Sequence, residues 1–277
     1  MVDIGSFNQL KIKKTAYFGA YLDGGHQGLI PISAVDLPIG VDAGSEISVF
    51  LYHNSDMQVV ATTVRPAAQV GHCALLSVVE INSTGAFLEW GLPKHLLLPF
   101  NEQKSSLKVG QTCFVYVFLD KYTNRIVSSM KLSRHLLERN ESFKVHQSVD
   151  LHIAARTDLG YKAVIDNHSL GLIFESDAYL KLRVGDYVKG SIKRIRADGR
   201  IDLYIASSKS EVDEELSGRI LQHLRDHGGS SRLTDKSPPH EIYKEFKVSK
   251  NKFKNALGGL YKSRRVTLTQ GSVKLAG

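Results

Sequence analysis

The 277-residue chain is short of several things, and each shortage removes a class of protein. It holds two cysteines, Cys73 and Cys113, far apart and without a Cys-x-x-Cys pair. A disulfide framework or zinc ribbon is thereby excluded, and the two read as buried or half-buried thiols in a reducing compartment. No apolar run approaches the roughly 20 residues that span a bilayer, so no membrane partner is expected. The first residues, Met1 to Lys14, are basic but have no apolar stretch behind them. No secretory leader is expected, and the expected location is the cytoplasm. Walker, Rossmann and Gly-x-Ser-x-Gly signatures are missing. Carboxylates are scattered, with no obvious pair for metal-dependent phosphodiester cleavage. Neither catalysis nor a cofactor is expected. His223 and His227 stand at metal-ligand spacing, four apart, but no third ligand accompanies them. They read as the polar end of a helix, favoured there by its dipole.

What remains is an ordinary globular composition, 42% hydrophobic and 23% charged, with length for two to four modules. Net charge is +8 and unevenly spread. Residues 1–209 carry 23 Lys/Arg against 20 Asp/Glu, while residues 210–277 carry 13 against 8. The last quarter is the most basic per residue. Such a patch attracts polyanions in a salt-dependent way, although mild positive charge also serves solubility alone.

Three stretches align when anchored on a glycine within an apolar run. They are Tyr17-Phe18-Gly19-Ala20-Tyr21-Leu22, Ser83-Thr84-Gly85-Ala86-Phe87-Leu88 and Asp158-Leu159-Gly160-Tyr161-Lys162-Ala163. A second glycine follows 25 residues later each time: Gly44, Gly110 and Gly185. A short apolar strand lies between the two glycines: Gly28 to Pro31, Leu96 to Pro99 and Gly171 to Phe174. Beyond the second glycine come two further strands with a polar turn between them. The turns are Asn54-Ser55-Asp56, Thr123-Asn124 and Ala197-Asp198-Gly199, residues that hairpins favour. About 65 residues of short strands without a long helical pattern match a five-stranded OB barrel, which closes its own sheet edges. The anchoring glycine is expected at a bulge or sharp bend.

The remainder, from 209, changes period. Val212, Leu216, Ile220, Leu221 and Leu224 fall on one side of a helix over Glu211 to His227, ended by Gly228-Gly229. Ser237 is expected to cap a short helix with Pro238 at its first position, carrying Ile242, Tyr243 and Phe246. Ser249 caps the next, Lys250 to Lys262, with Phe253, Ala256, Leu257 and Leu260 inward. A hairpin follows, Val266 to Leu268, turning near Gln270-Gly271 into Val273 and Leu275. Three helices and a hairpin is the winged-helix plan. Gly258-Gly259 is out of place there, each glycine costing ~1 kcal/mol inside a helix. It implies either close helix packing or a kink.

The expected fold is therefore mainly β with a C-terminal α+β domain: barrels over 1–65, 66–140 and 141–208, then a winged helix over 209–277. The run Phe18-Gly19-Ala20-Tyr21-Leu22, then Gly28-Leu29-Ile30, then the later glycine and hairpin, resembles the OB domain of the ribosomal protein S-one type. The whole chain resembles the bacterial conserved virulence factor B family. That resemblance rests on Val49-Phe50-Leu51-Tyr52, on Gly85-Ala86-Phe87-Leu88-Glu89-Trp90-Gly91-Leu92, on Gly171-Leu172-Ile173-Phe174-Glu175 and on Ile195 to Leu203. It implies an RNA-binding regulator of gene expression.

OB faces hold single strands by stacking and by basic residues along the backbone path. Strand alternation turns Tyr21 and Phe87 outward if Leu22 and Leu88 fill the barrels. Trp90 has the parity of Leu88 and belongs to the core. The resemblance leads one to expect a second aromatic on the third strand, where Leu29, Leu97 and Leu172 stand instead. Repeat three has Lys162 in place of the first aromatic but offers Lys181, Arg183, Lys189, Lys193, Arg194, Arg196 and Arg200. In the winged helix, Lys250, Lys252, Lys254, Lys262, Arg264 and Arg265 are the candidate contacts. The expected partner is single-stranded RNA with weak sequence preference. Alternatives are a scaffold docking on a ribosome, polymerase or nuclease, and DNA binding through the winged helix alone.

Overall fold

The computed structural model describes residues 2–178, 181–205, 209–269 and 271–276, with the backbone alone over 209–215. The chain forms two compact units, Met1–Ile205 and Ala206–Gly277.

The first unit holds three closed five-stranded barrels of one plan. In the first, β1 (Phe7–Ala16), β2 (Gly19–Asp23), β3 (Leu29–Ser33), β4 (Glu46–His53) and β5 (Val59–Thr62) close in the order β1-β2-β3-β5-β4. The second repeats this with β6 (Cys73–Ile81), β7 (Gly85–Glu89), β8 (Leu96–Pro99), β9 (Thr112–Leu119) and β10 (Ile126–Ser129). The third does so with β11 (Ser148–Thr157), β12 (Gly160–Ile165), β13 (Ser169–Phe174), β14 (Tyr187–Ile195) and β15 (Ile201–Tyr204). The third and fifth strands pair in parallel in every barrel, and all other pairs are antiparallel.

The anchoring glycines have a different physical basis from the one expected. The bulge lies six residues earlier, on the first strand, where pairing slips between Ile12 and Lys14, Val78 and Glu80, and Ile153 and Ala155. The glycines are needed because the third strand crowds them. A Cβ at Gly19 would stand 2.1 Å from the Ile32 carbonyl oxygen, and one at Gly160 2.1 Å from that of Ile173. The opening strand of each barrel was the one without a sequence landmark, since β1 interleaves lysines with its apolar residues.

The barrels share cores. Phe50 belongs to the apolar cluster of the second barrel, its ring edge-on to Trp90 at 5.9 Å. Trp90 is buried as expected, and its indole N–H donates to the Lys94 carbonyl at 2.7 Å. Between the second and third barrels, Cys73, Phe114, Leu132, Leu136, Ala154, Val164 and Leu170 form one cluster. Both cysteines are free thiols, and burial pushes Cys73 up to about 12 and Cys113 to about 11. They are packing groups at neutral pH.

The second unit runs α1 (Lys209–Asp226), β16 (Ser230–Ser231), α2 (Pro239–Phe246), α3 (Lys250–Lys262), β17 (Val266–Thr269) and β18 (Ser272–Leu275). The sheet order is β16-β18-β17, so a short strand after α1 completes the expected hairpin. Its core joins Leu216, Ile220, Leu221 and Leu224 to Ile242, Phe246, Phe253, Ala256, Leu257 and Leu260. The Val212 side chain and Gln270 of the expected turn lie outside the described residues. The cap of α2 is Pro238, with Pro239 as first helical residue. Ser237, expected there, instead accepts through its Oγ from the Thr234 N–H at 3.0 Å. Ser249 caps α3 by accepting from the Lys252 N–H.

Candidate nucleic-acid interface

Strand alternation places one row of residues across the outer face of each barrel, and the register identifies them. In the first barrel Lys14 faces Tyr21, and Tyr21 faces Pro31. In the second, Glu80, Phe87, Leu97 and Val127 align. In the third the row is Ala155, Lys162, Leu172 and Asp202. The residue equivalent to Leu97 and Leu172 is therefore Pro31, not Leu29, which pairs two places along with Asp23.

Tyr21 and Phe87 are half-buried and face outward, while Leu22 and Leu88 fill the barrels. Tyr21 is not alone. Phe18 stands edge-on to it at 5.4 Å, Tyr17 edge-on to Phe18 at 5.7 Å, and the Lys14 ammonium lies 4.6 Å from the Tyr21 ring centre. Tyr17 is fully exposed. The first barrel thus carries three rings and a cation where one ring was expected. The signal was adjacent to the motif, but Tyr17 and Phe18 lie outside the strands, where period-two reasoning assigns no face.

The third barrel carries the expected cations, and the structure pairs most of them with acids. Lys189 pairs with Asp150. Lys193 pairs with Asp177 at 2.7 Å, and Arg200 sits 3.7 Å from Asp198. Arg194 and Arg196 converge on the two oxygens of Asp202, at 2.6 and 2.7 Å. Asp202 is 1% exposed. Burial alone would raise its pKa, but the hydrogen bonds from Arg196 and Arg194 hold it below the ordinary carboxylate value. Lys181 and Arg183 are exposed and make no ion pair among the described residues. Beside the row, Arg196, Arg200, Lys162 and Glu138 line a cavity of about 240 Å³.

In the second unit, Lys254, Lys262, Arg264 and Arg265 are exposed, and Lys250 reaches the Lys236 carbonyl at 3.4 Å. Lys252, half-buried, is the residue whose N–H the Ser249 cap receives. Helical spacing puts Asn251, Asn255, Gly258 and Lys262 in the middle of the outward face of α3. A Cβ at Gly258 or Gly259 would meet nothing within 4 Å, so internal packing does not require either glycine. His223 and His227 are engaged within the unit. The rings of His223 contact Glu245 and Ser231 at 3.1 Å each, and His227 Nδ1 lies 2.8 Å from the His223 carbonyl oxygen. Among the described residues no helix is long and apolar enough to cross a membrane.

Three OB barrels with outward aromatic and basic rows, followed by a helix–strand–helix–helix–hairpin unit, define a tandem protein built of nucleic-acid-binding domain types. The domain-family models agree. The S1 domain model matches residues 4–64 and 70–131, and the model described as CvfB-like winged helix domain matches residues 218–275. The chain is similar to proteins named conserved virulence factor B over most of its length. It is 25% identical to the Bacillus subtilis protein YitL, over 95% of this chain and 90% of that one. It is 23% identical to conserved virulence factor B of Staphylococcus saprophyticus, over 84% of this chain and 80% of that one. A solved structure from Streptococcus pneumoniae, described as a multidomain protein with nucleic acid binding domains, is 22% identical over 98% of each chain, with a TM-score of 0.42. Neither matched domain family is an enzyme family.

Proposed function

We propose that the chain binds single-stranded RNA without chemical turnover and regulates gene expression through that binding, after transcription or during it, in concert with proteins of RNA metabolism or transcription. The observation that carries the reading is the repeated outward ring at one register position, Tyr21 and Phe87, with the Lys14 ammonium beside the first of them. Stacking on such rings contributes ~1–3 kcal/mol per base and tolerates any base, because every base has a π-face. Basic groups on the barrels and α3 add sequence-independent attraction that weakens with salt. Several weak sites on one chain raise the effective affinity of the whole. RNA is favoured over duplex DNA because an exposed ring can stack only on a base that is not already stacked in a helix.

The test is fluorescence anisotropy of the full chain with labelled single-stranded RNA and duplex DNA over several salt concentrations. Wild type is compared with Y21A/F87A and K250A/K252A/K254A. Salt-sensitive RNA binding that weakens in both variants is expected. Duplex DNA bound more tightly than RNA, with the barrel variant unaffected, would transfer the function to the winged helix. Absence of binding near physiological salt would leave the protein scaffold as the better reading.

A further inference from the structure

The first and second barrels line a cavity of about 180 Å³ that joins the second barrel's outer row, through Phe87, Leu97 and Val127, to the end of β4 in the first. Its walls come from two directions. Tyr52 and His53 end β4 of the first barrel, while Phe87, Lys94 and His95 belong to the second, with Arg125 beside them. The chain from one barrel is tied to the other here, since the Lys94 ammonium donates to the Asn54 carbonyl at 2.7 Å. The position of the walls is therefore fixed by the shared core beneath them, in which Tyr52 packs against the second barrel's cluster.

The chemistry of the lining is one-sided. Aromatic rings, aliphatic side chains and cations line the cavity, and no carboxylate does. Glu89 approaches His95 only from outside, at 3.5 Å. Arg125 is exposed and makes no ion pair among the described residues. Lys94 spends two of its three donors on Asn54 and Met57, which leaves one. His53 is 9% exposed and its Nδ1 has no hydrogen-bond partner among the described residues. Burial first, then Lys94 and Arg125, lowers its pKa, so the ring is neutral at pH 7 and offers one donor and one acceptor. An unsatisfied buried ring nitrogen costs free energy that a polar ligand can recover.

A ligand suited to these walls is planar, aromatic, polar at one edge and anionic at the other. We propose that this inter-barrel cavity takes one unstacked nucleobase of a bound RNA strand, its polar edge at His53 and its phosphate at Arg125 and Lys94. Phe87, Leu97 and Val127 are shared between the outer row and the cavity, so a strand crossing the second barrel passes its mouth. The proposal rests on the RNA-binding reading and adds to it a composite site that neither barrel forms alone. It gives an otherwise sequence-tolerant face one position at which base identity matters. The barrel-three cavity lacks this one-sidedness, because Glu138 there pairs with Lys162 at 3.2 Å.

The experiment uses the full chain with fluorescein-labelled twelve-mers of oligo(A), oligo(C) and oligo(U), and an oligo(U) carrying one 4-thiouridine for photo-crosslinking. R125A changes an exposed residue and F87L keeps most of the ring's volume; thermal unfolding checks both folds. Expected are crosslinks to the peptides bearing Tyr52 or Phe87, and binding weakened about threefold by R125A and about tenfold by F87L. H53Q is expected to change the ratio of the three affinities more than their mean. Wild-type binding by R125A, unchanged affinity ratios in H53Q and crosslinks confined to the Tyr21 row would overturn the cavity while leaving RNA binding intact. Failure of every twelve-mer to bind the wild type would overturn both readings.

Discussion

The first and third barrels share a strand order and differ in what crosses their outer faces. The first presents Lys14, Tyr21 and Pro31 with Tyr17 and Phe18 beside them; the third presents Lys162, Leu172 and Asp202 under Arg194 and Arg196. One face offers rings, the other offers cations already neutralised by acids. The same backbone thus supports two modes of attraction: stacking, which salt scarcely touches, and ion exchange, which salt governs. The third barrel teaches that a count of basic residues overstates a polyanion site. A phosphate arriving at Arg194 or Arg196 must compete with Asp202.

The comparison breaks most sharply at the rings. A Phe18→Ala/Tyr21→Ala variant is expected to lose about ten- to a hundredfold in affinity for single-stranded RNA, one stacked base being worth ~1–3 kcal/mol. The slope of log affinity against log salt should stay as in wild type. A slope reduced in proportion would mean that Lys14 and its neighbours, not the rings, hold the strand.

The opposite behaviour is expected of Asp202→Asn. Releasing Arg194 and Arg196 should tighten binding two- to fivefold and steepen the salt slope by about one, as roughly 0.7 counterions are released per phosphate on a single strand. The same change should cost about 2 kcal/mol of stability. That figure lies below the 3–5 kcal/mol of a fully buried pair, because Arg194 is mostly exposed and the pair is partly screened. A variant that binds no better would show that the third barrel's arginines serve the fold alone.

Acid sharpens the same contrast. Asp202 has a folded-state pKa held below its unfolded value, so its contribution is complete above the unfolded pKa near 4. It is lost as pH falls through the lower folded value. Wild type should therefore lose stability below about pH 4 more steeply than Asp202→Asn, in denaturant titrations at pH 6, 4 and 3. Parallel curves would mean that other carboxylates dominate the acid response.

Much of the fold was legible because barrels repeat. Gly19, Gly85 and Gly160, and the glycines 25 residues beyond them, gave the period, and Leu22 and Leu88 gave the faces. Less was legible where partners come from elsewhere in the chain. The sequence shows Arg194 and Arg196 as a basic cluster; only folding brings Asp202 across from β15 between them. Leu29 was misplaced by two residues because Gly28 drew the alignment, whereas pairing is set by the Gly19–Ser33 contact. The inter-barrel cavity had no sequence signal at all, since Tyr52 and Phe87 belong to different repeats.

The smallest expected effect concerns the second unit, where Gly258 interrupts the outward stripe of α3. Helix interiors disfavour glycine by ~1 kcal/mol against alanine, and a Cβ at Gly258 meets no neighbour. Gly258→Ala should therefore raise the stability of this unit by about 0.5–1 kcal/mol in thermal or denaturant unfolding. If the gap between Asn255 and Lys262 exists to admit a nucleic-acid backbone, the more stable variant should bind more weakly, and Gly259→Ala, off the centre of the stripe, should gain stability without that loss. Equal binding by both variants would assign the glycine pair no part in recognition and leave the cations at either end of α3 as the contact.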